Sequence, residues 1–397
     1  MVILLVLSVS INYVDRGNLS IAAPLLKDEL GISASQLGIL LSSFFWTYAA
    51  FQILAGWLVD RLDVNWVLAA GFFLWSVATA ATGLIHGFAL LLVLRLLLGI
   101  GESVVYPCYS KILAAHFHEH QRGFANALID AGTKVGPALG TLLGGLFMAR
   151  FGWRPFFIAL GLGSLLWLPG WVKWMPRGPG IAEGHPRGIP SIPDILRRRS
   201  AWATFLGLFC ANYFWYFLLT WLPFYLVRER HFSMSLMATI GSAAYFVTAS
   251  TTIITGWLSA RLIVAGVTTT RVRKTCTGAG LGGATIILGV AWVSSPVACM
   301  AFLMLGCIGY GMYASSHWAI TQTIAGPRAA GRWSGLQNFV GNLAGVAAPA
   351  ITGFVVDKTG VFFWAFAVSA GVALAGSMVY LFLLGPVEPM AWRARSS

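Results

Sequence analysis

Runs of about 20 or more mostly apolar residues recur along this chain, separated by short polar breaks. A helix needs about 20 such residues to cross the hydrocarbon core of a bilayer. Read by that rule, the runs are 2–26, 35–59, 66–86, 88–112, 123–149 and 154–174, then 201–226, 235–262, 274–293, 296–322, 332–356 and 361–385. Charged residues make up only 10% of the chain, against roughly 25% in a soluble globular domain, so the runs read as spanning helices rather than buried cores. The expected fold is an all-α membrane protein with twelve transmembrane helices in two six-helix, pseudo-symmetric halves. Residues 1–175 form the first half, 176–200 a basic, Pro- and Gly-rich linker, and 201–397 the second half. Residues 1–14 lack the basic start and the A-x-A site of a signal peptide, so they read as the first spanning helix.

The halves echo each other. GWLVDRL at 56–62 returns as GWLSARL at 256–262, and GLFMARFG at 145–152 is answered by GFVVDKTG at 353–360. Internal repeats of this kind mark transporters built around a central site. The net charge of +13 does not imply nucleic acid, because the Lys and Arg residues cluster in short loops on one side of the spans. That asymmetry places both termini in the cytoplasm of a multi-pass inner-membrane protein. The five cysteines form no C-x-x-C pair, and neither a disulfide framework nor a zinc site is expected. His116, His118 and His120 are close enough for a metal, but the run is short and at a loop, and a solvated loop is the preferred reading. No metal or cofactor is expected.

Against this apolar background, NYVDRGNLSIAAP at 12–24 places a carboxylate and a guanidinium, Asp15 and Arg16, inside the first run. A charge at the bilayer centre costs about 2.5–3.5 kcal/mol on insertion scales, so such residues face a partner or an aqueous cavity. The other deep charges are Arg95, Glu102, Asp130 and Lys134, all in the first half; the second half carries only neutral polar groups and His317 inside its helices. At 100° per residue, Asn12, Asp15, Arg16 and Ser20 share one stripe. Arg95, Glu102, Tyr106 and Tyr109 share another, and Asn126, Asp130, Thr133 and Pro137 a third. Asp130 and Lys134 have the i,i+4 spacing of an intrahelical ion pair; a cavity-facing Lys134 remains open as a second cation. Arg95 and Glu102 are two turns apart, too far for direct contact, so each is expected to meet another helix. Asp15 and Arg16 point about 100° apart and cannot satisfy each other well.

These stretches, with RLLLGIGES at 95–103, GPALGTLLGG at 136–145 and NFVGNLAGVAAP at 338–349, resemble the major facilitator superfamily. Within it they are similar to the anion:cation symporters, which include bacterial galactonate, glucarate and hexuronate transporters and the animal sialin and vesicular glutamate carriers. The resemblance covers essentially the whole chain. It implies that Asp15 and Glu102 take up the proton and that Arg16 holds the substrate carboxylate. It also implies substrate contacts from Tyr48, Ser315, Trp318 and Asn338. His317 shares a face with Tyr313 and Thr321 and joins the candidates, with a bond to a neighbouring carbonyl as the alternative. Arg95 and Asp130, with Asp60 and Arg61 of the DRLDVNW loop, are assigned to ion pairs and conformational locking. That loop lacks the basic pair of the family pattern, and Ala260 replaces the acid in the second copy, so the lock is expected to be weaker. Lys134 stands where a neutral residue is expected.

The residue chemistry agrees with the resemblance. Arginine offers a planar, permanently charged fork that matches a carboxylate. The expected function is proton-coupled import of a small organic anion, a sugar acid, by alternating access. The expected partners are the anion, protons and the bilayer, with no nucleic acid, and the expected state is a monomer. The alternative is an exporter or antiporter of another organic anion or metabolite on the same fold. An enzyme is not expected: there is no G-x-S-x-G and no HExxH.

Overall fold

The computed structural model describes residues 1–116, 119–175, 190–390 and 392. Among them every regular element is a helix. In chain order these are α1 Val2–Leu30, α2 Ala34–Arg61, α3 Val64–Thr82, α4 Phe88–Ser103, α5 Val105–His116, α6 Glu119–Phe151, α7 Trp153–Ser164 and α8 Trp167–Trp174. They continue as α9 Ile192–Leu196, α10 Arg199–Arg228, α11 Met234–Val264, α12 Thr269–Ala284, α13 Leu288–Trp292, α14 Pro296–Ala314, α15 His317–Thr359 and α16 Phe362–Met378. Ten helical stretches among the described residues are long and apolar enough to cross a membrane. The runs expected at 35–59 and 123–149 are also helical, as α2 and α6. Both hold side chains outside the described set, and neither is among the ten.

Several breaks were not visible as apolar runs. The run at 88–112 is interrupted at Val104, between α4 and α5. Pro107 supplies no N–H there, and its ring crowds the carbonyl of Ser103 four residues earlier. The run at 296–322 is likewise interrupted at Ser315–Ser316. Within α15 the chain turns at Gly326, with φ 63° and ψ 176°, a backbone that glycine adopts without steric cost.

The chain divides into two compact units. The first comprises residues 1–183, 219–243 and 349–358. In it α1 lies along α6, where Gly132, Gly136 and Gly140 recur one turn apart. A Cβ at Gly136 would sit 2.6 Å from the carbonyl oxygen of Ser10 and 3.0 Å from Tyr13 Cβ, so the two backbones touch directly, as small residues allow in membranes. Helix α4 approaches α2 in the same way. Gly99 abuts the Phe44 carbonyl, and Thr47 Oγ1 donates to the Leu96 carbonyl at 2.8 Å.

The segments 219–243 and 349–358 are tied into this unit by polar contacts. The Ser33 side chain caps α2 by accepting from Gln36 N. The next two amides, Ala34 N and Ser35 N, donate to the two carboxylate oxygens of Asp357 at 2.9 and 2.8 Å. Trp221 Nε1 donates to the Pro349 carbonyl at 3.1 Å, and Arg228 pairs with Asp28 and donates to the Pro24 carbonyl at 2.8 Å. Glu29 accepts from Arg154 at 2.7 Å and from Trp153 Nε1 at 2.6 Å.

The second unit holds residues 184–218, 244–348 and 359–397. Here α12 packs against α14 and α16. Arg273 donates to the hydroxyls of Ser259 and Ser316 at 3.3 and 3.2 Å, and Ser316 marks the break between α14 and α15. Lys274 Nζ donates to the Leu384 carbonyl at 2.8 Å.

Candidate functional site

The first unit buries the charges that the sequence singled out. Arg16 is 5% exposed and Glu102 is fully buried. They meet across α1 and α4, with Arg16 Nε donating to Glu102 Oε2 at 2.9 Å. Glu102 thus finds its partner on another helix, as its two-turn separation from Arg95 required. The contact uses only part of what both groups offer. Arg16 Nη2, on the same edge of the guanidinium as Nε, has no hydrogen-bond partner among the described residues, nor has Glu102 Oε1. A guanidinium edge that can grip a carboxylate with two parallel bonds here makes one.

Three aromatic rings lie close to the Arg16 guanidinium. Its Cζ lies 4.6 Å from the Tyr13 ring centroid, 4.5 Å from that of Tyr48 and 5.3 Å from that of Phe44. Cation–π contacts at these distances favour the charged side chain in a desolvated place. Tyr48 is 1% exposed and stacks on Phe44 at 5.3 Å and 22°. Of the three rings, sequence reasoning anticipated Tyr48 and missed Phe44 and Tyr13. Tyr13 sits three residues before Arg16, on the same helix face, but in a chain that is 14% aromatic that spacing alone did not stand out.

Asp15 turns away from this arrangement, as adjacent helical residues must. Its Oδ1 accepts from Thr79 Oγ1 of α3 at 2.9 Å and from Asn18 Nδ2 at 3.1 Å. Thr79 and Asn18 were also unanticipated. Arg95 is 5% exposed, lies within electrostatic reach of both Glu102 and Asp15, and has its Cζ 5.3 Å from the Phe44 ring. Two carboxylates and two guanidiniums therefore share one buried cluster on α1 and α4. Burying charges is tolerable only when they are paired and hydrogen-bonded.

The remaining candidates are placed as follows. Lys134 is half-buried on α6 and donates to Thr133 Oγ1 at 3.0 Å. The side chains of Asp130 and Asp60 lie outside the described residues, as does His118; Arg61 is exposed at the end of α2. In the second unit Ser315, His317, Trp318 and Asn338 are half-buried. Ser315 Oγ donates to the Met312 carbonyl at 2.8 Å and lies 3.2 Å from Ser316 Oγ. His317 stacks on Tyr313 at 5.0 Å and 16°, and the Trp318 ring lies 5.0 Å from it at 44°. The carbonyl of Asn338 accepts from Asn342 Nδ2 at 2.9 Å. Among the described residues no group of His, Cys, Asp and Glu could hold a metal ion.

The sequence matches the family model of the Major Facilitator Superfamily over residues 5–349. The hexuronate transporter of Bacillus subtilis (strain 168) is 30% identical over 402 residues, which span 97% of this chain and 94% of the relative. The probable L-galactonate transporter of Escherichia coli (strain K12) is 28% identical over 401 residues, spanning 96% and 88%. Among solved structures, a bacterial homolog of the human lysosomal transporter Spinster, in an inward-facing and unoccupied conformation, matches with a TM-score of 0.77. That likeness covers 96% of this chain and 94% of the other at 20% identity, and it speaks for the fold alone.

Proposed function

The chain belongs to the major facilitator superfamily, a family of membrane transporters and not of enzymes, and on that premise we propose that it imports a sugar acid together with protons by alternating access. The observation that carries the reading is the half-used edge of Arg16, buried, within cation–π distance of aromatic rings and bonded to Glu102 through Nε alone. A substrate carboxylate would take Nε and Nη2 together, exchanging one charged hydrogen bond for two. The named substrates of the relatives, hexuronate and L-galactonate, are hydroxylated monocarboxylates, which is the chemistry one such fork can hold.

Coupling follows from competition. While Glu102 is ionised it occupies Arg16; a proton on Glu102 removes that charge and leaves the guanidinium for the incoming anion. Asp15, held by Thr79 and Asn18 and within reach of Arg95, is a second proton carrier set apart from the substrate. Lys134 in the first unit, and Ser315, His317, Trp318 and Asn338 in the second, are further substrate contacts in this reading. Asp60, Arg61 and Asp130 are conformational ion-pair residues. The transporter works as a monomer with twelve spans in two halves and both termini in the cytoplasm, consistent with the placement of its basic loops.

The test is uptake and binding in proteoliposomes with a panel of aldonates, hexuronates and aldarates under an imposed proton gradient. Accumulation of a sugar acid driven by an inward gradient is expected; efflux driven by the same gradient would reverse the direction. Arg16→Lys keeps the charge and loses the fork, so binding should fall severely with membrane insertion unchanged. Uptake by Arg16→Lys at the wild-type level would refute the anchor.

A further inference from the structure

We infer that Tyr106 is a positioning residue for Arg16, acting through Tyr13 without touching the substrate. The inference rests on the reading above, in which Arg16 holds the ligand carboxylate.

The two rings nearest Arg16 Cζ, Tyr48 and Tyr13, are held in different ways. Tyr48 is locked by burial and by its stack on Phe44. Tyr13 is half-buried, and its Cβ rests against the glycine seam at Gly136. Neither contact fixes the rotation of its ring. Its hydroxyl supplies the missing constraint: Tyr13 Oη and Tyr106 Oη are 3.0 Å apart. Tyr106 belongs to α5, just beyond the break at Val104 that follows Glu102. The hydroxyl contact therefore joins the ring over Arg16 to the polypeptide that carries its ionic partner.

A guanidinium recognises a carboxylate in its own plane. A ring held against it limits how that plane can turn, and a ring free to swing does not. If the Tyr106 hydroxyl is removed, Tyr13 keeps its bulk and loses its anchor, and Arg16 keeps its charge and loses a defined orientation. The effect should appear in ligand affinity and leave the later steps of the cycle alone. One hydrogen bond of this kind corresponds to about a two- to tenfold change in an equilibrium constant. Tyr109, one turn further along and bonded to Ser8, provides a control hydroxyl on the same helix.

The experiment measures KM and Vmax for proton-driven uptake of D-glucuronate and D-galactonate by Tyr106→Phe, Tyr13→Phe, the double variant and Tyr109→Phe. Each of the first two should raise KM by about two- to tenfold for both sugar acids with Vmax retained. The double variant should be no worse than either single, and Tyr109→Phe should match wild type. If the single effects multiply in the double variant, the two hydroxyls act separately and the positioning role is overturned. An unchanged KM in Tyr106→Phe overturns it as well. Arg16→Lys, measured alongside, separates the two readings. Affinity retained there removes the carboxylate anchor itself, whereas affinity lost there with multiplicative tyrosine effects removes only the positioning role. In the Arg16→Lys background, adding Tyr106→Phe should change KM no further, because an ammonium has no plane to orient; a further loss would count against the inference.

Discussion

Replacing Glu102 by Gln should uncouple affinity from pH. The amide keeps the size of the side chain, and its oxygen can still accept from Arg16 Nε, so the 2.9 Å contact survives without its ionic character. A hydrogen bond to a charged group contributes about 1.5–3 kcal/mol, against about 0.5–1.5 kcal/mol for a neutral one. In the wild type that charged bond must be broken before a substrate carboxylate can take the same edge, but only while Glu102 is ionised. The sign follows directly. At acid pH Glu102 is protonated and the anion binds well; as pH rises the carboxylate reclaims Arg16 and affinity falls. The fall should amount to roughly ten- to hundredfold, the equilibrium equivalent of the charged bond. Glu102→Gln should bind the same sugar acid with the wild type's acid-limit affinity at every pH, exchange it across the membrane, and fail to accumulate it against a gradient. Titration calorimetry at acid and alkaline pH, with counterflow and gradient-driven uptake in proteoliposomes, reads all three. A pH profile of binding for Glu102→Gln that tracks the wild type would refute the competition at Arg16.

Other outcomes follow from the same geometry. Asp15→Asn should keep its contacts to Thr79 and Asn18 and bind substrate with near wild-type affinity, yet lose proton-driven accumulation; accumulation surviving in both this variant and Glu102→Gln would remove the coupling assignment. Asp357→Ala strips the acceptor from two amides in the first turn of α2 and should cost about 0.5–2 kcal/mol of stability, as other helix-cap losses do, visible as a lowered melting temperature in detergent. Lys134→Met should weaken a dicarboxylate more than a matched monocarboxylate, as a second cation of the site requires; equal effects on both ligands with a lowered melting temperature would leave Lys134 only the ion pair with Asp130.

The helices were legible because lipid leaves the chain little choice. An apolar run of spanning length has to be helical, and α1, α3 and α16 sit close to where the runs predicted. The breaks at Val104 and Ser315–Ser316 were hidden because apolar character continues through them, although Pro107 is a local signal for the first. Asp15, Arg16 and Glu102 stood out as charges in apolar surroundings. Their partners did not, because partnership between helices depends on packing, and packing here is set by glycines that bring backbones into contact at Gly99 and Gly136. Thr79 looked like any small polar residue of a membrane helix, and Tyr13 like one more aromatic. In the second unit, Ser315 and His317 hydrogen-bond to the carbonyls of Met312 and Ala314 at the end of α14; for His317 the neighbouring carbonyl was one of the two uses its position suggested, whereas the local bond of Ser315 was not foreseen.

The aromatic rings packed close to Arg16 also have an entropic side. A free arginine side chain carries about 2 kcal/mol of rotamer entropy, and ordering such a side chain on binding typically costs about 0.5–1.5 kcal/mol. With Tyr13 and Tyr48 close to its Cζ and Glu102 bonded to its Nε, much of that disorder is already gone before any ligand arrives. This matters more for a sugar acid than for a large ligand, since a molecule of roughly a dozen non-hydrogen atoms has few contacts with which to offset an ordering penalty. The freezing of the guanidinium takes place once, when the protein folds, and is not repeated with each turnover.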